Sequence, residues 1–154
     1  MKKYILILAF NFMAIYAFSQ DYSKLSSFEF KNAKDYANAK PQVLECANYL
    51  LDNPININES NRLISVQYIL KWMEGTSEYT FSIGEKAMEL TKGKSELFSL
   101  YLTTMTKVVL ENPDEKLTDT QIHEKTQEYL IKYCSNPDNK LKPSKAMKKI
   151  IKES

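Results

Sequence analysis

Glycine, proline, histidine and cysteine are all scarce in this chain of 154 residues. The 3 Gly and 5 Pro are too few for the many tight turns of a β-sandwich or β-barrel. One His and 2 Cys leave almost no ligands for a zinc site, so we predict no metal and no cofactor. A formal charge of +2 is too small to indicate a nucleic-acid binder. By contrast, 44% hydrophobic and 26% charged residues are typical of a folded protein, here of one domain.

The first 19 residues have the three-part layout of a secretory signal peptide. A positive start at Lys2 and Lys3 is followed by an apolar stretch from Tyr4 to Phe18. Ala17 and Ser19 then supply small residues at the −3 and −1 positions of a cleavage site. The apolar stretch is shorter than the roughly 20 residues that a membrane anchor needs. We therefore predict cleavage after Ser19 and export, with the protein periplasmic or secreted.

Removal of this segment changes the charge balance. The 21 basic residues lose Lys2 and Lys3 and become 19, equal to the 19 acidic residues. Residues 140–154 nevertheless stay strongly basic, with Glu153 as the single acid against six lysines: Lys140, Lys142, Lys145, Lys148, Lys149 and Lys152. One interpretation is a solvated helix end whose cations suit the helix dipole. The other is contact with an anionic partner, such as a membrane surface, through Lys142, Lys145, Lys148, Lys149 and Lys152.

The rest of the chain has the apolar spacing of helices. Val43, Ala47 and Leu50, for example, recur every three or four residues. The pattern predicts an all-α fold of five or six helices stacked as helical hairpins, either tetratricopeptide-like or an irregular bundle. Three helices are expected to end at Asn-Pro pairs, because a residue before proline avoids helical angles. The intervals of 59 and 24 residues between these prolines do not make a fixed repeat.

The expected helix limits follow from caps and prolines. The predicted helices run from Pro41 to Asn53, from Ser60 to Glu74, from Ser82 to Gly93, from Ser95 to Glu111, from Thr118 to Asn136 and from Ser144 to Lys152. Ser82 with Glu85, and Thr118 with Gln121, fit the capping box at a helix start.

The remaining expectations concern the arm and the glycines. Residues 20–40 are predicted as an extended N-terminal arm with a short helix from Ala33 to Ala39, and residues 41–154 as the helical domain. Pro41 suits the first turn of its helix, and Gly75 and Gly93 suit the ends of theirs, with Gly75 in a left-handed conformation.

One stretch resembles a known group of proteins. The residues that carry the likeness are Asn61-Arg62-Leu63, the run from Gln67 to Thr76, Tyr79-Thr80-Phe81, and the run from Leu110 to Pro113. Together they resemble a family of small secreted helical proteins from flavobacterium-type bacteria. The resemblance implies export and a helical fold, and it transfers neither a catalytic residue nor a function.

The residues that could carry catalysis are few. His123 is followed by Glu124, but no second histidine lies four residues on, so the zinc-protease helix motif is missing. We expect a surface or partly buried histidine. Cys46 and Cys134 are best interpreted as buried thiols. The alternative is a disulfide, which export would permit and which would add about 4 kcal/mol of stability. A cysteine nucleophile paired with His123 is the least favoured interpretation.

A loop rich in asparagine precedes the second predicted helix. Asp52, Asn53, Asn56 and Asn58 supply oxygen ligands, but the glycine and the terminal glutamate of a calcium loop are absent. The loop is therefore predicted as a turn with capping residues.

The segment from Trp72 to Phe81 is the most distinctive part of the sequence. It holds the single Trp, and the single arginine, Arg62, lies nearby. If the segment binds a partner, Trp72, Tyr79 and Phe81 would form an apolar wall. Arg62 and Glu74 would then orient a polar group. The alternative is a corner of the core, since large aromatic residues are mostly buried.

These observations favour an exported, non-enzymatic protein-interaction or scaffold module of the bacterial envelope, with an unknown protein partner. Stacked helices offer concave faces to extended partners, which is the physical reason for this hypothesis. The alternative is a small apolar-ligand or lipid-binding helical domain, because the very apolar helix 95–111 could line a cavity. A third hypothesis is an inhibitor or immunity-type protein.

Overall fold

The computed structural model describes residues 22–154, and the predicted signal peptide lies outside this range. Within it the protein is all-α, without strands, and its helices pack as adjacent pairs, so the predicted fold class is confirmed. The helices are α1 (Tyr22–Ser26), α2 (Ala33–Asp52), α3 (Glu59–Gly75), α4 (Glu85–Thr91), α5 (Ser95–Glu111), α6 (Asp119–Ser135) and α7 (Lys145–Glu153), with a 3₁₀ turn at Pro137–Asn139. Over the same range, none of these helices combines the length and the apolar character that crossing a membrane requires.

Helix α5 lies at the centre of the core. It contacts α2, α3, α4 and α6, and ten of its residues are buried. Its limits are those predicted from the sequence. The apolar side chains of α5 therefore fill the interior.

The Asn-Pro pairs end three helices, as predicted. Asn53, Asn112 and Asn136 are the C-terminal caps of α2, α5 and α6. Two of them also replace a missing backbone donor. The side-chain amide of Asn53 donates to the carbonyl of Tyr49 at 2.9 Å, and that of Asn112 to Val108 at 2.7 Å. Each amide thus satisfies a carbonyl that the last turn of the helix leaves without a partner.

Helix α2 starts eight residues earlier than predicted, so a start at Pro41 is wrong. Asn32 and Asp35 form a reciprocal capping box at its first turn, and the helix continues through Pro41. The division drawn at residue 40 consequently falls inside α2. Pro41 has no N–H to donate, and in the turn before it the indole Nε1 of Trp72 donates to the carbonyl of Tyr36 at 2.9 Å. This long-range bond supports the helix next to the proline.

Two predicted glycine and serine caps differ from the structure. Gly75 is the last residue of α3, and Thr76 is the cap, with an ordinary φ of −67°. Glycine is required at position 75 because a Cβ would lie 1.9 Å from the hydroxyl of Tyr36. Helix α4 is capped by Gly84, so the box predicted from Ser82 is wrong. Gly93, with φ of 71°, does end α4 in the left-handed conformation.

The N-terminal arm packs on the helices, as expected. Phe30 stacks on Tyr36 with ring centroids 4.5 Å apart, and Phe28 meets Tyr68 edge to face at 5.8 Å. Helix α1 lies within the predicted arm, and the sequence pattern did not predict it at this position.

Candidate functional site

The predicted aromatic cluster does come together, around a buried Trp72. Trp72 has no exposed surface, and Tyr79 and Phe81 lie over it with centroid distances of 5.6 and 6.1 Å. Lys40 pairs with Glu78 and places its ammonium 5.4 Å from the Tyr79 ring centroid. These contacts hold the segment that follows α3 against α2. The cluster is a corner of the core, and a binding role for it stays a prediction.

Arg62 and Glu74 lie apart from that cluster. Arg62 is ten residues from Trp72 along α3, which is about 15 Å of helix. Its Nη1 donates to three backbone carbonyls at 3.2–3.4 Å, those of Leu50, Asn53 and Pro54. Arg62 therefore closes the C-terminal end of α2. Glu74 is exposed and lines an open cavity of about 420 Å³ beside Phe28.

The two cysteines are thiols and do not form a disulfide with each other. Cys46 is fully buried, in agreement with the favoured prediction. Cys134 is partly buried, and this burial raises the pKa of its thiol to about 11. A thiol with such a pKa is protonated at neutral pH and is a poor nucleophile.

His123 is tied to the core helix. Its Nδ1 lies 2.9 Å from the hydroxyl of Tyr101, and the ring is partly buried. Burial lowers the pKa of His123, with a further contribution from the Lys86 cation, so the imidazole is neutral at pH 7. Within residues 22–154, no group of three or more His, Cys, Asp or Glu side chains is arranged to hold a metal ion.

The best-developed open site lies where the C-terminal ends of α2, α5 and α6 meet. Two adjoining cavities of about 440 and 350 Å³ share Tyr129 and Lys132. We call their combined surface the Tyr129 groove. Its lining residues are Leu51, Asp52, Val108, Glu111, Asn112, Lys125, Glu128, Tyr129, Lys132, Tyr133, Asn136 and Asn139.

A hydrogen-bond network fixes the aromatic ring in this groove. The hydroxyl of Tyr129 donates to Glu111 Oε2 at 2.9 Å. The ammonium of Lys107 donates to Glu111 and to Asn48 on α2, and it lies 5.5 Å from the Tyr129 ring centroid. Desolvation and the neighbouring carboxylate raise the pKa of Tyr129, so its hydroxyl stays a donor. The ring is thus held in one position before any partner arrives.

The charged side chains around the ring are available for contacts. Within residues 22–154, Lys125, Lys132, Asp52 and Glu128 make no ion pair and no side-chain hydrogen bond. The groove therefore presents both signs of charge beside one rigid aromatic. Such a lining suits a polar segment with mixed charges better than a hydrocarbon chain.

The sequence contains a local signal for this groove that the apolar spacing alone does not show. Lys125, Glu128, Tyr129 and Lys132 are spaced i, i+3, i+4 and i+7, so they share one face of α6. By its spacing of seven residues from Ile122 and four from Tyr133, Tyr129 also belongs to the inward stripe of α6. Its second role depends on Glu111 and Lys107 from α5, which a local pattern does not reveal.

Comparison of the chain with protein-family models, with curated proteins and with solved structures finds no match. The resemblance to small secreted helical proteins, and the export that it implies, stay predictions. A functional proposal therefore depends on the chemistry of the described residues.

Proposed function

We propose that this protein is an exported, non-enzymatic interaction module of the bacterial envelope, and that the Tyr129 groove holds a segment of its protein partner. The observation that supports this most directly is the fixed Tyr129 ring flanked by Lys125 and Lys132, which make no ion pair within residues 22–154. Rigid tyrosines lose little entropy on binding and are enriched among the residues that dominate protein interfaces.

The placement of the reactive side chains supports a non-enzymatic role. His123 is bonded to Tyr101, and Cys134 has a thiol whose pKa is about 11. General-base catalysis needs a base within hydrogen-bonding reach of its nucleophile. The hydrogen-bond partner of His123 is the hydroxyl of Tyr101, a phenol whose pKa is raised by burial.

A polypeptide fits the groove better than an apolar ligand does. The lining includes five charged residues and the amides of Asn112 and Asn136, which follow the ends of α5 and α6. Of the apolar residues of α5, Val108 reaches the groove, whereas most of the others are buried in the core. The Tyr129 groove does not support the apolar-ligand or lipid-binding alternative, which stays a prediction.

Site-specific photo-cross-linking in the producing cells tests this proposal. A photoreactive residue replaces Lys132 in the groove, and in a matched variant it replaces Lys34, an exposed lysine on α2. We expect a discrete cross-linked protein from position 132 and not from position 34. The same product from both positions, or none from position 132, would contradict the proposal.

A charge reversal supplies the second arm of the test. In this variant the photoreactive residue replaces Glu128, and Lys132 is changed to Glu. If Lys132 contacts an acidic group of the partner, the charge reversal should abolish the cross-linked product. An undiminished product would show that the groove lysine does not take part in binding.

A further inference from the structure

Helix α7 presents a continuous stripe of lysines to solvent. Lys145, Lys148, Lys149 and Lys152 are all exposed, and at 100° per residue they fall within an arc of roughly 100°. We call these four residues the lysine stripe. Within residues 22–154 none of them makes an ion pair or a side-chain hydrogen bond.

Helix stability does not account for this stripe. The four lysines form like-charged neighbours at spacings of three and four residues, which destabilise a helix. Lys145 and Lys148 lie in the first turn, where the positive end of the helix dipole opposes a cation, and this turn has no acidic residue. The interpretation in which these cations suit a helix C-terminus applies to Lys152 alone. The stripe therefore costs stability unless negative charge approaches it from outside.

The opposite face of α7 is already occupied. Met147 is fully buried, and α7 contacts α4 and α6. The hydroxyl of Ser144 donates to the carbonyl of Leu90 and accepts from the N–H of Met147 at 3.0 Å. The apolar side of α7 is thus mostly packed against the body, with Ile150 and Ile151 partly buried at its borders, and the charged side is fully open to a partner.

We propose that the lysine stripe docks the protein onto the surface of an anionic lipid bilayer. Clusters of four or more lysines on an amphipathic helix match the spacing and sign of anionic headgroups. A protein partner fits less well, because the stripe is an outward helix face with no groove or aromatic anchor. Because Met147 is buried and Ile150 and Ile151 are partly buried, we expect an electrostatic contact without insertion of α7. This proposal is independent of the Tyr129 groove.

The proposal is tested by vesicle sedimentation. The protein is recovered from the cells that produce it and mixed with vesicles. The vesicles contain equal parts of phosphatidylglycerol and phosphatidylcholine, and pure phosphatidylcholine vesicles are the comparison. The variant Lys148→Gln/Lys152→Gln removes two stripe charges, chosen because Lys149 borders a cleft that contains Glu89 and Glu124. Glutamine matches lysine in helix propensity, so the fold is retained.

The matched control is Lys34→Gln/Lys71→Gln, which removes the same charge from exposed positions of α2 and α3. We expect the stripe variant to bind anionic vesicles about 25-fold more weakly than the wild type does, since each lysine contributes roughly fivefold. The control should bind within about twofold of the wild type. Binding of the wild type should also be lost at about 0.5 M salt.

Three results would overturn the proposal. Equal losses in the two variants would show a general charge effect, and salt-resistant binding would show insertion of apolar groups. Equally tight binding of the wild type to a soluble polyanion, a short duplex DNA, would show a preference for anionic polymers and not for a bilayer. The salt test uses the wild type, so it remains decisive even if the stripe variant does not fold.

Discussion

At the scale of single residues, Thr126 stands out because its buried hydroxyl lacks a hydrogen-bond partner, the single such side-chain atom among the residues described. An unsatisfied buried hydroxyl costs free energy that a methyl group does not. We therefore expect Thr126→Val to raise the free energy of unfolding by about 1 kcal/mol, measured by urea denaturation.

Thr104 supplies the matched control for this substitution. It is equally buried, but its hydroxyl donates to the carbonyl of Leu100 at 2.7 Å. Thr104→Val should therefore be neutral or destabilising. If both variants change the stability by the same amount and sign, the missing partner of Thr126 is not the cause.

His123 makes the stability depend on pH in a predictable direction. Its pKa in the folded protein is lowered by burial and by Lys86, against a partial opposing effect of Glu124. Between the ordinary value of 6.5 and the lowered folded value, the unfolded chain binds more protons, so stability falls as the pH falls through this window. His123→Gln removes this dependence.

The measurement is the urea midpoint of wild type and His123→Gln from about pH 7.5 to about pH 5. The difference between the two proteins should shift in favour of the variant as the pH falls. Carboxylates common to both proteins cancel in this comparison. Parallel pH profiles would mean that the pKa of His123 is the same in the folded and unfolded states.

At the scale of elements, Arg62 joins the ends of three helices. It belongs to α3, its guanidinium binds carbonyls at the end of α2, and the hydroxyl of Tyr133 on α6 donates to one of the same carbonyls, that of Asn53, at 2.7 Å. We expect Arg62→Met to lower the free energy of unfolding by about 2 kcal/mol, because buried carbonyls lose a charged donor. Chemical denaturation measures the loss.

Two further variants define the origin of this effect. Arg62→Lys keeps the charge but not the planar fork, so its stability should fall between those of wild type and Arg62→Met. Arg62→Met combined with Tyr133→Phe should not be additive, since both side chains serve Asn53. Strict additivity would show that the two donors act independently.

The helices also show which features a sequence can and cannot predict. The limits of α5 and the capping box of α6 were predictable, because a cap and an Asn-Pro pair act on residues a few positions away. The passage of α2 through Pro41 was not, since α2 is held there by contacts with α3, among them the bond from Trp72 to the carbonyl of Tyr36. The Tyr129 groove was missed for the same reason, because three helices contribute to it.

At the scale of the whole molecule, the central position of α5 predicts a single cooperative unfolding transition. Helix α5 contacts α2, α3, α4 and α6, so no large part of the described chain has a core of its own. Trp72, buried between α3 and α2, reports tertiary structure by fluorescence, whereas far-ultraviolet circular dichroism reports the helices. The two urea transitions should coincide. An earlier transition at Trp72 would indicate that its corner unfolds separately.

Three helix C-terminal ends meet at the Tyr129 groove, and together they contribute an electric dipole moment to the protein. Each of α2, α5 and α6 brings about half a negative charge to that end. The three acidic residues of the groove are balanced by its two lysines and by Lys107, which pairs with Glu111. The lysine stripe belongs to α7, which adjoins the N-terminal half of α6 through the cleft of His123 and Lys149. If α7 docks on an anionic surface as proposed, that surface repels the negative helix ends at the groove, and we expect the groove to face the surrounding solution.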